Sequence, residues 1–78
     1  MNLMFRTLII EDEKLARNRL KRLLADYESY LNILAEAESG EEGEKLIDEL
    51  KPDLIFLDIQ MPGINGFEML KNIKHFPL

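Results

Sequence analysis

Short apolar segments of strand length alternate with amphipathic segments of helix length along this chain of 78 residues. Three strands are predicted, at Arg6–Ile10, Asn32–Ala37 and Asp53–Leu57. The third contains four consecutive apolar residues, Leu54–Leu57, which is typical of a strand buried on both faces. Because a helical pattern follows each strand, the connections are predicted to be crossovers and the sheet to be parallel.

The first helical segment follows the first strand and has one apolar stripe. Its members recur at a spacing of about 3.6 residues, and they are Ala16, Leu20, Leu23, Leu24 and Tyr27. Leu15 is apolar but lies off this stripe. A basic group lies mostly on the opposite side and is predicted to be a solvated helix face rather than a nucleic-acid contact; it comprises Lys14, Arg17, Lys21 and Arg22.

The second helix is predicted over Glu41–Leu50, and its ends carry recognisable signals. Ser39 is placed as the N-cap, with Glu42 three residues later completing a capping box. Lys51-Pro52 ends the helix. A third helix is predicted to begin near Gly66.

Composition narrows the class of protein. A length of 78 residues supports one small domain. The net charge of -5 argues against direct nucleic-acid binding, which needs clustered Lys and Arg. The absence of cysteine excludes a disulfide framework and thiolate metal ligands. With no apolar run approaching a membrane span or a signal peptide, an acidic cytoplasmic domain without membrane contact is predicted.

Carboxylates directly follow two of the predicted strands. Glu11 and Asp12 follow the first strand, and Asp58 follows the third. In open parallel sheets, ligands bind beyond the carboxyl ends of the strands. If these two strands are neighbours, the three carboxylates converge at one edge of the sheet.

Converging carboxylates repel each other, and a hard divalent cation relieves that repulsion. Oxygen-only ligation favours Mg²⁺ or Mn²⁺ over zinc. An aspartate can also act as a nucleophile toward phosphorus, so the pattern fits metal-assisted phosphoryl transfer. Acidic residues at strand ends are often only solvated loop residues. This alternative stays open for the Glu11–Asp12 pair and for Asp58 when each is considered by itself. The occurrence of both sites, each after an apolar strand, favours the functional interpretation.

Two strings carry a resemblance to a known family. "LIIEDE" followed by a helix, and "PDLIFLDIQMPGINGFEML", together resemble the receiver domain of two-component response regulators. The run "EDEKLARNRLKRLL" is similar to receivers attached to LytTR-type DNA-binding domains. The resemblance implies a flavodoxin-like α/β fold with three layers and, for the three strands here, the order 2-1-3. It also implies a cytoplasmic phosphoprotein that controls an output domain, and the LytTR likeness implies that this output is transcriptional.

The resemblance also implies roles for individual residues. Asp58 would accept a phosphoryl group from a sensor histidine kinase. Glu11, Asp12 and Asp58 would hold Mg²⁺ or Mn²⁺, with the backbone carbonyl of Gln60 as a further ligand. The loop after the third strand would be shaped by Pro62, Gly63 and Gly66. Kinase docking at the start of the first helix would involve Glu13, Leu15 and Arg19.

A receiver has five βα units, and residues 1–78 match three of them, β1-α1-β2-α2-β3-α3. The hydroxyl residue expected after strand four and the lysine expected after strand five have no counterpart among these residues. We therefore expect an incomplete receiver domain that is phosphorylated poorly by itself. Its third strand would lack a neighbour, and an apolar edge such as Leu54–Leu57 is expected to promote dimerisation.

Two other functions remain open on the sequence. One is an interaction module that works without phosphorylation and keeps only a vestigial acidic site. The other is a Mg²⁺-dependent phosphatase with an aspartate nucleophile. Such phosphatases typically carry a second aspartate two residues after the first, and Gln60 occupies that position here. The prediction is therefore a signalling module rather than an enzyme.

Overall fold

The computed structural model describes residues 4–58. They form a small parallel sheet in which a helix connects each strand to the next strand in sequence. The elements are β1 (Phe5–Ile10), α1 (Lys14–Leu24), a short 3-10 turn (Ala25–Tyr27), β2 (Leu31–Ala37), α2 (Gly40–Leu50) and β3 (Leu54–Leu57). The predicted third helix lies outside the described residues. Neither described helix combines the length and the hydrophobicity that crossing a membrane requires.

The sheet has the order β2-β1-β3, with both pairs parallel, which confirms the predicted 2-1-3 arrangement. β1 is the central strand, and Leu8, Ile9 and Ile10 are fully buried. β3 lies in register with the second half of β1, from Thr7 opposite Leu54 to Ile10 opposite Leu57. The carboxyl ends of β1 and β3 therefore coincide.

β3 is less buried than its apolar sequence predicts. All four residues of Leu54–Leu57 are half-buried. Within residues 4–58 the strand pairs with β1 on one side only, so its other edge gains no cover from the described sheet. Ile55 and Leu57 still pack against the core, which is centred on Leu8, Ile10 and Ile47.

The buried side of α1 is rotated away from the predicted stripe. Leu23 is 65% exposed and Tyr27 is 55% exposed, whereas Arg17 is buried. Tyr27 leaves the stripe because the α-helix ends at Leu24 and a 3-10 turn, with its tighter period, follows. The prediction that the basic residues form a solvated face is therefore wrong for Arg17, whose guanidinium is held by carboxylates at the end of β2.

The ends of α2 follow the predicted signals. The Ser39 side chain accepts a hydrogen bond from the backbone N–H of Glu42 at 3.1 Å, which confirms Ser39 as the N-cap. At the other end, Lys51 adopts a left-handed conformation with φ 49° and its N–H donates to the carbonyl of Ile47. Pro52 follows at once and cannot continue the helix.

Gly43 allows α2 to lie close to the sheet. A Cβ atom built at this position would be 2.7 Å from Cδ1 of Ile10, which is closer than real Cβ atoms approach. The glycine costs about 1 kcal/mol of helix propensity relative to alanine. In return, the backbone of α2 packs directly on the end of β1.

Candidate metal and phosphorylation site

The carboxyl ends of β1 and β3 position three acidic residues. Glu11 and Asp12 directly follow β1, and Asp58 directly follows β3. The backbone N–H of Asp58 donates to the carbonyl of Ile10 at 2.9 Å, and that of Glu11 donates to the carbonyl of Ala37 at 3.0 Å. The hydrogen bonds of the sheet thus continue one residue past the strands, and they fix the backbone positions of Glu11 and Asp58.

The three carboxylates converge as the sequence predicted. Each of Glu11, Asp12 and Asp58 offers an oxygen, and these oxygens all lie within 4.8 Å of one another. All three residues are half-buried, so water screens their mutual repulsion only in part. We name Glu11, Asp12 and Asp58 the acidic cluster.

Proton binding at Glu11 reflects this crowding. Partial burial, together with hydrogen bonds shared with the carboxyl groups of Asp12 and Asp58, raises the pKa of Glu11 to about 7. The backbone N–H of Glu13 acts in the opposite direction and stabilises the charged form, because it donates to a Glu11 carboxylate oxygen at 3.4 Å. Near neutral pH the cluster therefore holds a proton that a cation can displace.

The donor set of the acidic cluster fits a hard divalent cation. Its ligand atoms are carboxylate oxygens, which Mg²⁺ and Mn²⁺ prefer, and the cluster has no sulfur or imidazole ligand. Mg²⁺ usually retains several waters and uses one or two carboxylates, leaving positions for phosphate oxygens. An aspartate in such a set can also act as a nucleophile toward phosphorus.

A second charged group, which the sequence analysis missed, adjoins the acidic cluster. Arg17 donates from Nη1 to the carbonyl of Glu11 at 2.8 Å, and its other nitrogens face Glu38 at 3.3 Å and Glu36 at 3.4 Å. Lys21 donates to Glu36 at 2.9 Å. The available signal was the spacing: Glu36 near the end of β2 and Glu38 just after it are two residues apart, and the cations Arg17 and Lys21 are four residues apart on α1.

The remaining predicted site residues fall into two groups. Glu13, Leu15 and Arg19 all lie at the exposed start of α1, and Leu15 is 75% exposed. Their part in kinase docking stays a prediction. The other group lies outside the described residues, and it comprises Gln60, Pro62, Gly63 and Gly66.

Comparison with known proteins identifies the family. The model of the response regulator receiver domain matches residues 7–77. The chain is 48% identical over 62 residues to the positive alginate biosynthesis regulatory protein of Pseudomonas aeruginosa, covering 80% of this chain and 25% of that protein. It is 41% identical over 70 residues to the response regulator GacA of Pseudomonas viridiflava, covering 90% of this chain and 32% of that protein.

A solved structure gives the same result. The response regulator domain of Thermotoga maritima CheB superposes with a TM-score of 0.78 at 37% identity, covering 87% of this chain and 50% of that one. The chain belongs to the response regulator receiver domain family and has its flavodoxin-like fold. It spans about a quarter to a third of the length of the two curated relatives.

Membership fixes the general function. Receiver domains are phosphorylated on an aspartate by sensor kinases in two-component signalling, and they are mainly signalling modules rather than enzymes. They bind Mg²⁺ at an acidic pocket, and this chain has an acidic cluster at the corresponding edge of its sheet. Names among the relatives include a transcriptional regulatory protein, YdfI of Bacillus subtilis.

Proposed function

We propose that Asp58 is the phosphoacceptor of this receiver and that Glu11, Asp12 and Asp58 hold the Mg²⁺ or Mn²⁺ that phosphoryl transfer requires. The observation that carries the proposal is the convergence of the three carboxylates within 4.8 Å at the ends of two adjacent strands. The backbone carbonyl of Gln60 is proposed as a further ligand, with Pro62, Gly63 and Gly66 shaping the loop that presents it.

The proposed reaction is an exchange at phosphorus. An oxygen of the Asp58 carboxylate attacks the phosphorus of a phosphohistidine on the kinase and forms the new O–P bond. The P–N bond breaks with its electron pair staying on nitrogen, and the ring, protonated on its other nitrogen, leaves as neutral imidazole. A divalent cation held by Glu11 and Asp12 would neutralise charge on the phosphoryl oxygens. The ladder hydrogen bond from the backbone N–H of Asp58 to the carbonyl of Ile10 holds the backbone of the nucleophile in place.

The kinase is proposed to dock on the first turns of α1. Leu15 is apolar and 75% exposed, and it lies three residues after Asp12. Glu13 and Arg19 are exposed on the same helix end and offer charges of both signs. A partner helix bound here would bring its phosphohistidine near the acidic cluster without covering it.

The larger protein is proposed to be a cytoplasmic transcriptional regulator in which residues 1–78 supply the first three βα units of the receiver. The short share of each curated relative that this chain covers supports an output domain beyond it. The run "EDEKLARNRLKRLL" supports an output domain of the LytTR type. Determining the sequence that continues after Leu78 tests both points.

Acetyl phosphate with Mg²⁺, followed by intact mass measurement, tests the phosphoacceptor. We expect one stable phosphoryl adduct on the complete regulator and none on its Asp58→Asn variant. The 78-residue chain should be labelled more slowly, since it lacks the hydroxyl and lysine counterparts that stabilise phosphoryl oxygens in the family. Continuous release of phosphate would instead indicate a phosphatase, and an unchanged mass would indicate an interaction module independent of phosphorylation.

Self-association through β3 is proposed for the 78-residue chain. Within residues 4–58, the strand pairs on one side only, and Leu54–Leu57 carries no lysine or proline to discourage pairing. Light scattering at micromolar concentration should return about twice the monomer mass of 9.1 kDa. A folded monomer at that concentration would refute the proposal.

A further inference from the structure

The guanidinium of Arg17 lies between the acidic cluster and the end of β2. The side chain is 8% exposed, although it belongs to a helix face rich in charged residues. Its nitrogens have three different acceptors: the backbone carbonyl of Glu11 at 2.8 Å, a Glu38 oxygen at 3.3 Å and a Glu36 oxygen at 3.4 Å. A buried fork with this many acceptors has little freedom to move.

The backbone acceptor is the important one. The carbonyl of Glu11 belongs to the peptide that joins Glu11 to Asp12, the two adjacent members of the acidic cluster. Arg17 therefore fixes the plane of that peptide. The N–H on the other side of Glu11 donates to Ala37 at 3.0 Å. Both sides of Glu11 are thus tied to β2, one directly and the other through Arg17.

We propose that Arg17 is a positioning residue for the divalent-cation site. It touches no metal ligand atom; it acts by holding the Glu11–Asp12 peptide so that the two side chains face Asp58. Glu36 and Glu38 hold the guanidinium in turn, so the end of β2 contributes to a site whose carboxylates come from the ends of β1 and β3. This inference rests on the metal site proposed above.

Charge and geometry predict opposite results for the loss of Arg17. A cation beside a metal site repels the metal, so removal of the charge alone would tighten Mg²⁺ binding. Loss of a residue that orients the ligands weakens metal binding, by roughly tenfold or more in other proteins. Lys21 is the matched control, since it also carries a positive charge and pairs with Glu36, but donates to no backbone group of the cluster.

The experiment is Mg²⁺ titration calorimetry on the wild-type chain, Arg17→Met, Arg17→Lys and Lys21→Met, with affinities corrected for the folded fraction measured by circular dichroism. We expect Arg17→Met to weaken Mg²⁺ binding roughly tenfold. Lys21→Met should leave it unchanged or slightly tighter. Arg17→Lys should lie in between, because an ammonium retains the charge but lacks the fork that reaches all three acceptors. Unchanged or tighter binding by folded Arg17→Met or Arg17→Lys would overturn the proposal.

A measurement without metal tests the role of Arg17 separately from the proposal that the acidic cluster binds Mg²⁺. The amide nitrogen of Asp12 belongs to the peptide that Arg17 holds, so its NMR shift reports the contact directly. We expect this shift to change in Arg17→Lys and to stay the same in Lys21→Met. An unchanged shift in Arg17→Lys would overturn the positioning role, even if Arg17→Met does not fold. Failure of the wild-type chain to bind Mg²⁺ would overturn the metal site, and the Asp12 shift would still decide the role of Arg17.

Discussion

The two ends of β1 both carry charged residues and have opposite electrostatics. At the amino end, Arg6 donates to the carbonyls of Lys51 and Leu50 at 2.8 and 2.7 Å, and its backbone N–H donates to a carboxylate oxygen of Asp53 at 2.9 Å. At the carboxyl end, the carboxylates of the acidic cluster face one another. Donors meet acceptors at one end, and acceptors meet acceptors at the other.

This difference separates a structural end from a functional one. Arg6 satisfies carbonyls that the last turn of α2 cannot satisfy internally, so the amino end stabilises the fold. The carboxyl end carries a repulsion that a bound cation removes. Without a cation, the proton that Glu11 binds relieves part of this repulsion, and ladder hydrogen bonds hold the backbone of Glu11 and Asp58.

The largest expected difference between the two ends is in metal binding. Asp12→Asn removes a charged ligand and should weaken Mg²⁺ affinity by roughly tenfold or more, equivalent to about 1.4 kcal/mol. Asp53→Asn, at the amino end, should leave that affinity unchanged. Calorimetric titration of both variants measures this, and equal losses would mean that net charge rather than position governs binding.

Next in size is the effect of Arg6→Met on stability. Loss of the two hydrogen bonds to Lys51 and Leu50 should lower the free energy of unfolding by about 1 kcal/mol, since these groups are exposed enough for water to replace part of the contact. Urea denaturation measures the change. Arg22→Met, which removes an exposed arginine from α1, serves as control and should have little effect.

A smaller effect is expected from pH. The folded-state pKa of Glu11 is raised from 4.5 to about 7, so between these values the folded chain binds more protons than the unfolded chain. Its free energy of unfolding should therefore fall as pH rises through this range, by about 1 kcal/mol or less once solvent screening is allowed for. Above pH 7, saturating Mg²⁺ should restore the free energy of unfolding, because the cation replaces the proton that Glu11 has lost.

Thermal unfolding of the wild-type chain and of Glu11→Gln across this range, without metal, measures that effect. The variant should lose the part of the pH dependence that Glu11 contributes and should be the more stable of the two above pH 7. An equally steep fall in Glu11→Gln would show that Glu11 does not cause this pH dependence.

The smallest effect on stability is expected at Lys21. Its neighbourhood contains charges of both signs, so its electrostatics are intermediate between those of the two ends of β1. Lys21→Met should lower the free energy of unfolding by about 0.5 kcal/mol, since the Lys21–Glu36 pair is partly exposed and Glu36 retains Arg17. Urea denaturation at low and high salt measures it. A loss as large as that of Arg6→Met would mean that the pair is less screened than its exposure indicates.

The parallel sheet and the carboxylates at its carboxyl edge could be predicted from the sequence by local rules, whereas the strand order 2-1-3 came from the resemblance to receiver domains. Apolar runs mark the strands, crossovers make them parallel, and parallel strands end at one edge. Glu11 and Asp58 each follow such a run directly, so their meeting needed only the adjacency of β1 and β3.

The burial of Arg17 could not be predicted in the same way. Amphipathic patterns assign every arginine to solvent, whereas a long side chain can bury its stem and bring its charge to partners far along the chain. Here the partners lie at the end of β2 and just after it, 19 and 21 positions away in sequence. The misplacement of Leu23 follows from the same cause, because α1 turns its Arg17 side toward the sheet.

Because α2 lies close to β1, the side chains at positions 43 and 10 compete for the same space. Ile10 occupies the space that a side chain at Gly43 would need, and its carbonyl receives the N–H of Asp58. An enlargement at position 43 therefore requires the Ile10 side chain to move or a smaller residue at position 10. The spacing between one helix and one strand thereby constrains the residue whose carbonyl anchors the backbone of Asp58.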